Sequence, residues 1–169
     1  MLEDVTFGPL NLGLNPDVAE ARAMEALESV GADDLIGRSP RHLSLGQRSA
    51  VAIATVLALQ PDVLVLDEPA SRLDPRSRRR LMTLLAGIQQ TKLIASHDLD
   101  LVLALCERVV VLDKGRVVAD TPTHQILRDQ EFLESHGLEL PLTLQGALPD
   151  SKQAPYKPGR YPSSVWHRN

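Results

Sequence analysis

From Asn15 onward, apolar residues recur at helical spacing, with Ala19, Ala23, Leu27 and Val30 on one face and polar residues between them. Asn15 reads as an N-cap, Pro16 as the first helical residue and Gly31 as the stop, so a helix is predicted between them. A second helix is predicted from Ser44, because Ser44 and Gln47 form an S-x-x-Q capping box and the apolar run 51–59 continues until Gln60-Pro61. The period then changes. Residues 63–66, Val-Leu-Val-Leu, are a continuous run of β-formers, which predicts a central parallel strand with no wet face. Helical spacing returns at Leu81, Leu84, Leu85 and Ile88, and Arg76, Arg78, Arg79 and Arg80 fall on the solvated side. Leu93-Ile94-Ala95 predicts a further strand, and Leu99, Val102, Leu103 and Cys106 a further apolar stripe. Residues 108–112 and 116–119 flank Asp113-Lys114-Gly115, a turn signature that predicts a hairpin. Helices alternating with apolar strands make the fold class α/β.

Chemistry concentrates where these elements end. Asp67-Glu68 follows the first strand directly, so two like charges stand at the edge of a dry core and call for a cation or hydrogen-bond donors. A bound Mg²⁺ would balance them, and the crevice beyond the carboxyl ends of parallel strands is where α/β ligands sit. The plainer alternative is that either carboxylate caps the turn made with Pro69. The helix start at Ser44 keeps free amides and a positive dipole end, a ready phosphate site, although an ordinary capped core helix has the same sequence. Ser71-Arg72-Leu73-Asp74 precedes Pro75, and the second strand delivers Ser96-His97-Asp98.

Taken in order, these motifs resemble the second half of an ATP-binding cassette (ABC) ATPase. Leu43-Ser44-Leu45-Gly46-Gln47 is similar to the family's L-S-G-G-Q signature, residues 63–68 to its Walker B strand, residues 71–74 to its D-loop and His97 to its switch histidine. The resemblance covers roughly residues 1 to 128. Glu3 to Leu10 and His97 to Leu101 look most like the ATPases of energy-coupling-factor importers, which take up cobalt, nickel or vitamins. It implies a partial P-loop NTPase fold: a helical subdomain plus a mostly parallel sheet lacking its N-terminal strands. It implies ATP and Mg²⁺ as cofactors, with Asp67 holding the metal through water and Glu68 polarising the attacking water. His97 would contact the γ-phosphate. Ser44, Gly46 and Gln47 would meet the nucleotide of the opposite subunit in a head-to-tail dimer, with Asp74 along the seam.

Two residues depart from the family pattern. Leu45 stands where glycine is usual; against ATP it would weaken the signature, and turned into the helical subdomain it would cost nothing. Arg72 is a second candidate brake in the D-loop. The larger departure is the phosphate loop, G-x-x-x-x-G-K-[ST], whose amides and lysine hold the β- and γ-phosphates. Gly8 and Gly13 have its separation, yet Leu14-Asn15 follows where Lys-Ser/Thr belongs and Pro9 removes an amide. The expectation is therefore a fragment beginning after Walker A and the Q-loop, from a split gene, a misplaced start or a decayed gene. Its remaining strands would expose apolar faces.

Residues 1–136 are expected to form the ATPase domain, with 1–60 as the helical subdomain carrying the signature helix and 61–136 as the α/β part. Prolines 141, 149, 155, 158 and 162, with Lys152, Lys157, Arg160, Arg168 and Trp166, predict an extended, mobile and disordered tail over 137–169. A net charge of -4 gives no reason to expect nucleic acid, and one cysteine excludes an internal disulfide. Cys106 reads as a core thiol. The expected partners are a second ABC ATPase subunit, a transmembrane coupling subunit met near residues 7–14, and a separate fragment carrying Walker A. No span or signal is legible, so a cytoplasmic position, peripheral on the inner face of the membrane, is expected. A non-catalytic regulatory or assembly partner is the rival reading.

Overall fold

The computed structural model of the chain describes residues 1–145. Trp166 and the prolines beyond 145 lie outside the described residues. Contacts divide the chain into two units, Met1–Ser96 and the residues from His97 onward.

The first unit opens with three helices that pack on one another: α1 (Leu2–Asn11), α2 (Pro16–Ser29) and α3 (Leu45–Leu57). Asn15 caps α2 by accepting the Asp17 amide at 3.0 Å, and Ala19, Ala23 and Leu27 are its buried face, as the spacing predicts. Short 3-10 turns at Asp33–Leu35 and Pro40–His42 lead to α3. Both arms of its capping box are made: Ser44 Oγ accepts the Gln47 amide at 3.3 Å, and Gln47 Oε1 accepts the Ser44 amide at 3.0 Å. Helix α1 is less expected, since Pro9 lies inside it and has no amide to donate. Tertiary packing holds it there. Val5 and Pro9 are buried, and a Cβ at Gly8 would stand 2.7 Å from Leu59 Cδ2, so glycine permits the approach to α3's end.

Strand β1 (Val63–Asp67), helix α4 (Pro75–Gly87) and strand β2 (Thr91–Ala95) complete this unit. The strands pair in parallel, Val63 with Thr91 through Asp67 with Ala95, as a crossover through a helix requires. Helix α4 packs on α3 and buries Leu81 and Leu85, while Arg76, Arg79 and Arg80 are exposed. The expectation of a strand dry on both faces is corrected. Leu64 is 2% exposed, but Val63 is 50%, Val65 68% and Leu93 62% exposed, so one face of the pair is apolar and bare. Burial follows the two-residue period of the pleat, and the residues described cover only one side of it.

In the second unit, α5 (Leu99–Leu105), the hairpin β3 (Arg108–Asp113) and β4 (Arg116–Pro122), α6 (Thr123–Ile126) and α7 (Gln130–Ser135) enclose a core of Val102, Val111, Ala119, Ile126, Leu127 and Leu133. Lys114 and Gly115 turn the hairpin with φ of 48° and 75°, the left-handed pair that matches the twist of the strands. Cys106 packs against this core. So do Leu138 and Leu140, and Pro141 is buried, so the expected tail is corrected at its start: packing continues past residue 136 because these apolar residues close the core. The Asp100 carboxylate accepts the amides of Leu142 and Thr143 and the Thr143 hydroxyl at 2.7–3.0 Å, fixing this stretch to the start of α5.

Candidate functional site

The carboxyl ends of β1 and β2 carry the first cluster. Asp67 is the last residue of β1 and shares the bare face with Val63 and Val65; it is exposed, so the sequence-based picture of a charge at the rim of a dry core does not hold for it. Glu68 turns the other way. Its φ is +44°, a left-handed conformation that costs a side-chain-bearing residue about 1–3 kcal/mol and persists where neighbours impose it. Two neighbours do. The Glu68 amide donates to Ala95 O at 2.8 Å, adding one rung beyond the ladder, and the Ser96 hydroxyl donates to Glu68 Oε2 at 3.2 Å. The carboxylate is thereby held, half-buried, at the strand ends.

Around Glu68 lies a hollow of about 320 Å³, shared with Leu45, Arg48, Ser71 and Arg72. Leu45 is thus neither inside the helical subdomain nor buried: it is 55% exposed and stands on the hollow's wall. Ser44, Gly46 and Gln47 open on a different space, a cleft of about 940 Å³ between α2, α3 and α4 that does not reach Glu68. Ser44 is exposed at the helix start. Within one chain the structure brings Leu45 of the signature to the hollow of Glu68 but not Ser44, Gly46 or Gln47. His97 is exposed and begins the second unit, just ahead of Asp98, which caps α5 by accepting the Leu101 amide.

Asp74 is the N-cap of α4. Its Oδ1 accepts the amides of Arg76 and Ser77 at 3.0 and 3.1 Å, and its Oδ2 accepts the Ser77 hydroxyl at 2.6 Å. The Ser77 hydrogen bonds hold the Asp74 carboxyl below its ordinary value, with Arg76's amide adding to the same effect. Ser77 also presses on the signature: a Cβ at Gly46 would stand 2.8 Å from Ser77 Oγ and 3.0 Å from Ser77 Cβ. Gly46 is therefore glycine because α4 approaches it. Sequence reasoning missed both Ser77 and Ser96; the serine preceding His97 was the only trace of the latter.

The donor set fits Mg²⁺ in one respect. Among the described residues no three His, Cys, Asp or Glu side chains gather to hold a metal. Mg²⁺ does not require that: it keeps several waters and binds through one or two carboxylates plus substrate phosphates, which the hard oxygens of Asp67 and Glu68 could provide.

Residues 9–104 match a family model described as "AAA domain, putative AbiEii toxin, Type IV TA system". Among curated proteins, the chain is 53% identical over 146 residues to a "putative ABC transporter ATP-binding protein" of Geobacter sulfurreducens, covering 86% of this chain and 59% of that one. It is 42% identical over 144 residues to the "energy-coupling factor transporter ATP-binding protein EcfA" of Methanothermobacter thermautotrophicus, covering 83% and 46%. The solved structure of CbiO1 from Clostridium perfringens, described as part of the ABC transporter complex CbiONQ, superposes with a TM-score of 0.67 at 36% identity, over 78% of this chain and 54% of that one. The chain thus spans about half to three-fifths of the length of the curated relatives it matches.

Proposed function

The chain belongs to the ABC transporter ATP-binding proteins and has their α/β nucleotide-hydrolase fold in part, and on that premise we propose that it is the signature-to-switch portion of an ATP-hydrolysing site that energises a membrane importer. The observation that carries this reading is the Glu68 carboxylate, fixed in a left-handed turn at the ends of two parallel strands beside a hollow open to ligand. Phosphoryl transfer needs positioning and charge neutralisation more than covalent chemistry, and a carboxylate so held can orient and polarise a water. In the proposal Asp67 takes Mg²⁺ through water, Glu68 aligns the attacking water and His97 contacts the γ-phosphate. Bound Mg²⁺ supplies neutralisation of the β- and γ-phosphate charge.

Ser44, Gly46 and Gln47 are assigned to the nucleotide of a facing ATPase subunit, with Asp74 near the seam. The separation of their cleft from the hollow of Glu68 supports two distinct nucleotides for the two sets. The amide cradle and lysine of the phosphate loop come from a polypeptide outside these 169 residues, and the bare apolar face of β1 and β2 suits packing by such a segment. Phe7, Leu10 and Leu12 are exposed at the end of α1 and offer an apolar seat to a membrane subunit. No helix of the described residues is long and apolar enough to cross a membrane. The importer's channel is assigned to that partner, and this chain to a peripheral place on the inner face. The EcfA and CbiO1 relatives favour an energy-coupling-factor importer, with cobalt, nickel or a vitamin as cargo. The ATPase domain is assigned to residues 1–136.

The test is ATP turnover by the assembled transporter containing this chain. Glu68→Gln should lower turnover by about 100-fold or more while leaving ATP binding intact. Turnover that survives the substitution moves the chain to the rival reading, a regulatory or assembly partner without catalytic carboxylate.

A further inference from the structure

We propose that Ser96 is a positioning residue for the Glu68 carboxylate, and the proposal rests on the reading of Glu68 as the group that orients water. A glutamate has three side-chain torsions, so a backbone fixed at φ +44° does not by itself aim the carboxylate. Something must hold its far end. The ladder ends with Asp67 opposite Ala95, and one rung further the Glu68 amide donates to Ala95 O at 2.8 Å. The next residue on β2's side is Ser96, and its hydroxyl donates to Glu68 Oε2 at 3.2 Å across 28 residues of sequence. Both residues are half-buried in the same unit, so the bond is shielded from competing water more than a surface pair.

The bond ties one oxygen of the carboxylate, and the group stands on the wall of the adjoining hollow, where a water could reach it. Ser96 thus acts through Glu68 and leaves nucleotide affinity to other residues. A hydroxyl at this position is what the arrangement demands, and threonine can supply it as well as serine.

The experiment measures kcat and KM for ATP in the transporter assembly containing this chain. Ser96→Ala should lower kcat about 10- to 100-fold with KM within twofold, and Ser96→Thr should return kcat to within about threefold of the parent. An unchanged kcat in Ser96→Ala, or a loss that Ser96→Thr does not restore, overturns the proposal. Glu68→Gln is measured alongside: turnover surviving it removes the Glu68 reading, whereas loss in Glu68→Gln with none in Ser96→Ala removes only the role of Ser96. A readout free of turnover uses the chain with ¹³C at glutamate Cδ. The Glu68 carboxyl resonance should move on Ser96→Ala and return with Ser96→Thr, and a resonance indifferent to both overturns the proposal.

Discussion

Gly46 offers a substitution whose sign is decided by the structure. Glycine to alanine inside an exposed helix ordinarily stabilises by about 0.5–1 kcal/mol, because alanine has fewer unfolded conformations to lose. Here the new methyl meets Ser77 Oγ at 2.8 Å and Ser77 Cβ at 3.0 Å. The oxygen cannot simply swing away, since it donates to Asp74 Oδ2 at 2.6 Å, and the Cβ is fixed to α4. Overpacking of this kind costs about 1–3 kcal/mol, so Gly46→Ala should lose about 0.5–2 kcal/mol, or about 2–4 °C of Tm per kcal/mol for a domain of this size. Ser77→Gly removes both offending atoms and, by helix propensity alone, costs about 0.5 kcal/mol. In the double variant the methyl has room. Urea denaturation of the four chains should therefore give a coupling of about 1–2 kcal/mol, the double variant being more stable than the sum of single losses allows. Losses that add within about 0.5 kcal/mol, or a Gly46→Ala chain more stable than the parent, would refute the argument that contact between α3 and α4 dictates this glycine.

Ser44→Ala breaks the capping box of α3 and should cost about 1 kcal/mol in the same denaturation experiment; a change below about 0.3 kcal/mol would mean that water replaces the cap. Leu64→Ala, on the covered face of β1, should cost about 2–5 kcal/mol, while Val65→Thr on the bare face should shift stability by less than about 0.5 kcal/mol and reduce self-association in sedimentation runs. Equal losses at both positions would show that the second face is covered too. The hydrogen bond to His136 at 3.0 Å, with Lys114 and His136 charge adding to it, holds the Asp113 carboxyl below its ordinary 3.8. A depressed carboxylate contributes stability that is present above pH 3.8 and is lost as pH falls through the lower folded value. Asp113→Asn should then flatten the dependence of Tm on pH below about 4; an unaltered acid slope would remove this pair from the acid response.

Much of the architecture was legible because local chemistry specified it. Asn15 and Ser44 announce helix starts by the hydrogen bonds they make, and Lys114-Gly115 announces the hairpin by its left-handed backbone, whereas Asp74 reads in sequence only as the end of a loop and its capping of α4 comes from the structure. The ends of β1 and β2 were legible as sites of chemistry for the same reason: apolar runs stop where Glu68 and Ser96 begin. Helix α1 was harder, since Pro9 argues against a helix interior and only its burial, with Gly8 lying against Leu59, explains it. The run at residues 63–66 misled over wetness, because an apolar residue records the cover it suits and not whether the described residues supply it. The left-handed turn at Glu68 carries no local signature. It is imposed by Ala95 and Ser96, nearly thirty positions away, and such pairings follow only once the strands are in register. Gly46 was read as a ligand-facing glycine, whereas the structure shows a packing requirement as well.

The parallel pairing of Val63–Asp67 with Thr91–Ala95 sets a constant offset of 28 residues between partners. A ribosome adding about 5–20 residues per second therefore keeps the earlier strand waiting about 1–6 seconds before its neighbour has even been synthesised. Throughout that interval Val63, Val65 and their unbonded amides are available to nascent-chain chaperones, and the left-handed bend at Glu68 has no carbonyl to lean on. The Glu68 carboxylate would be among the last features of this strand pair to take its place as the polypeptide is born.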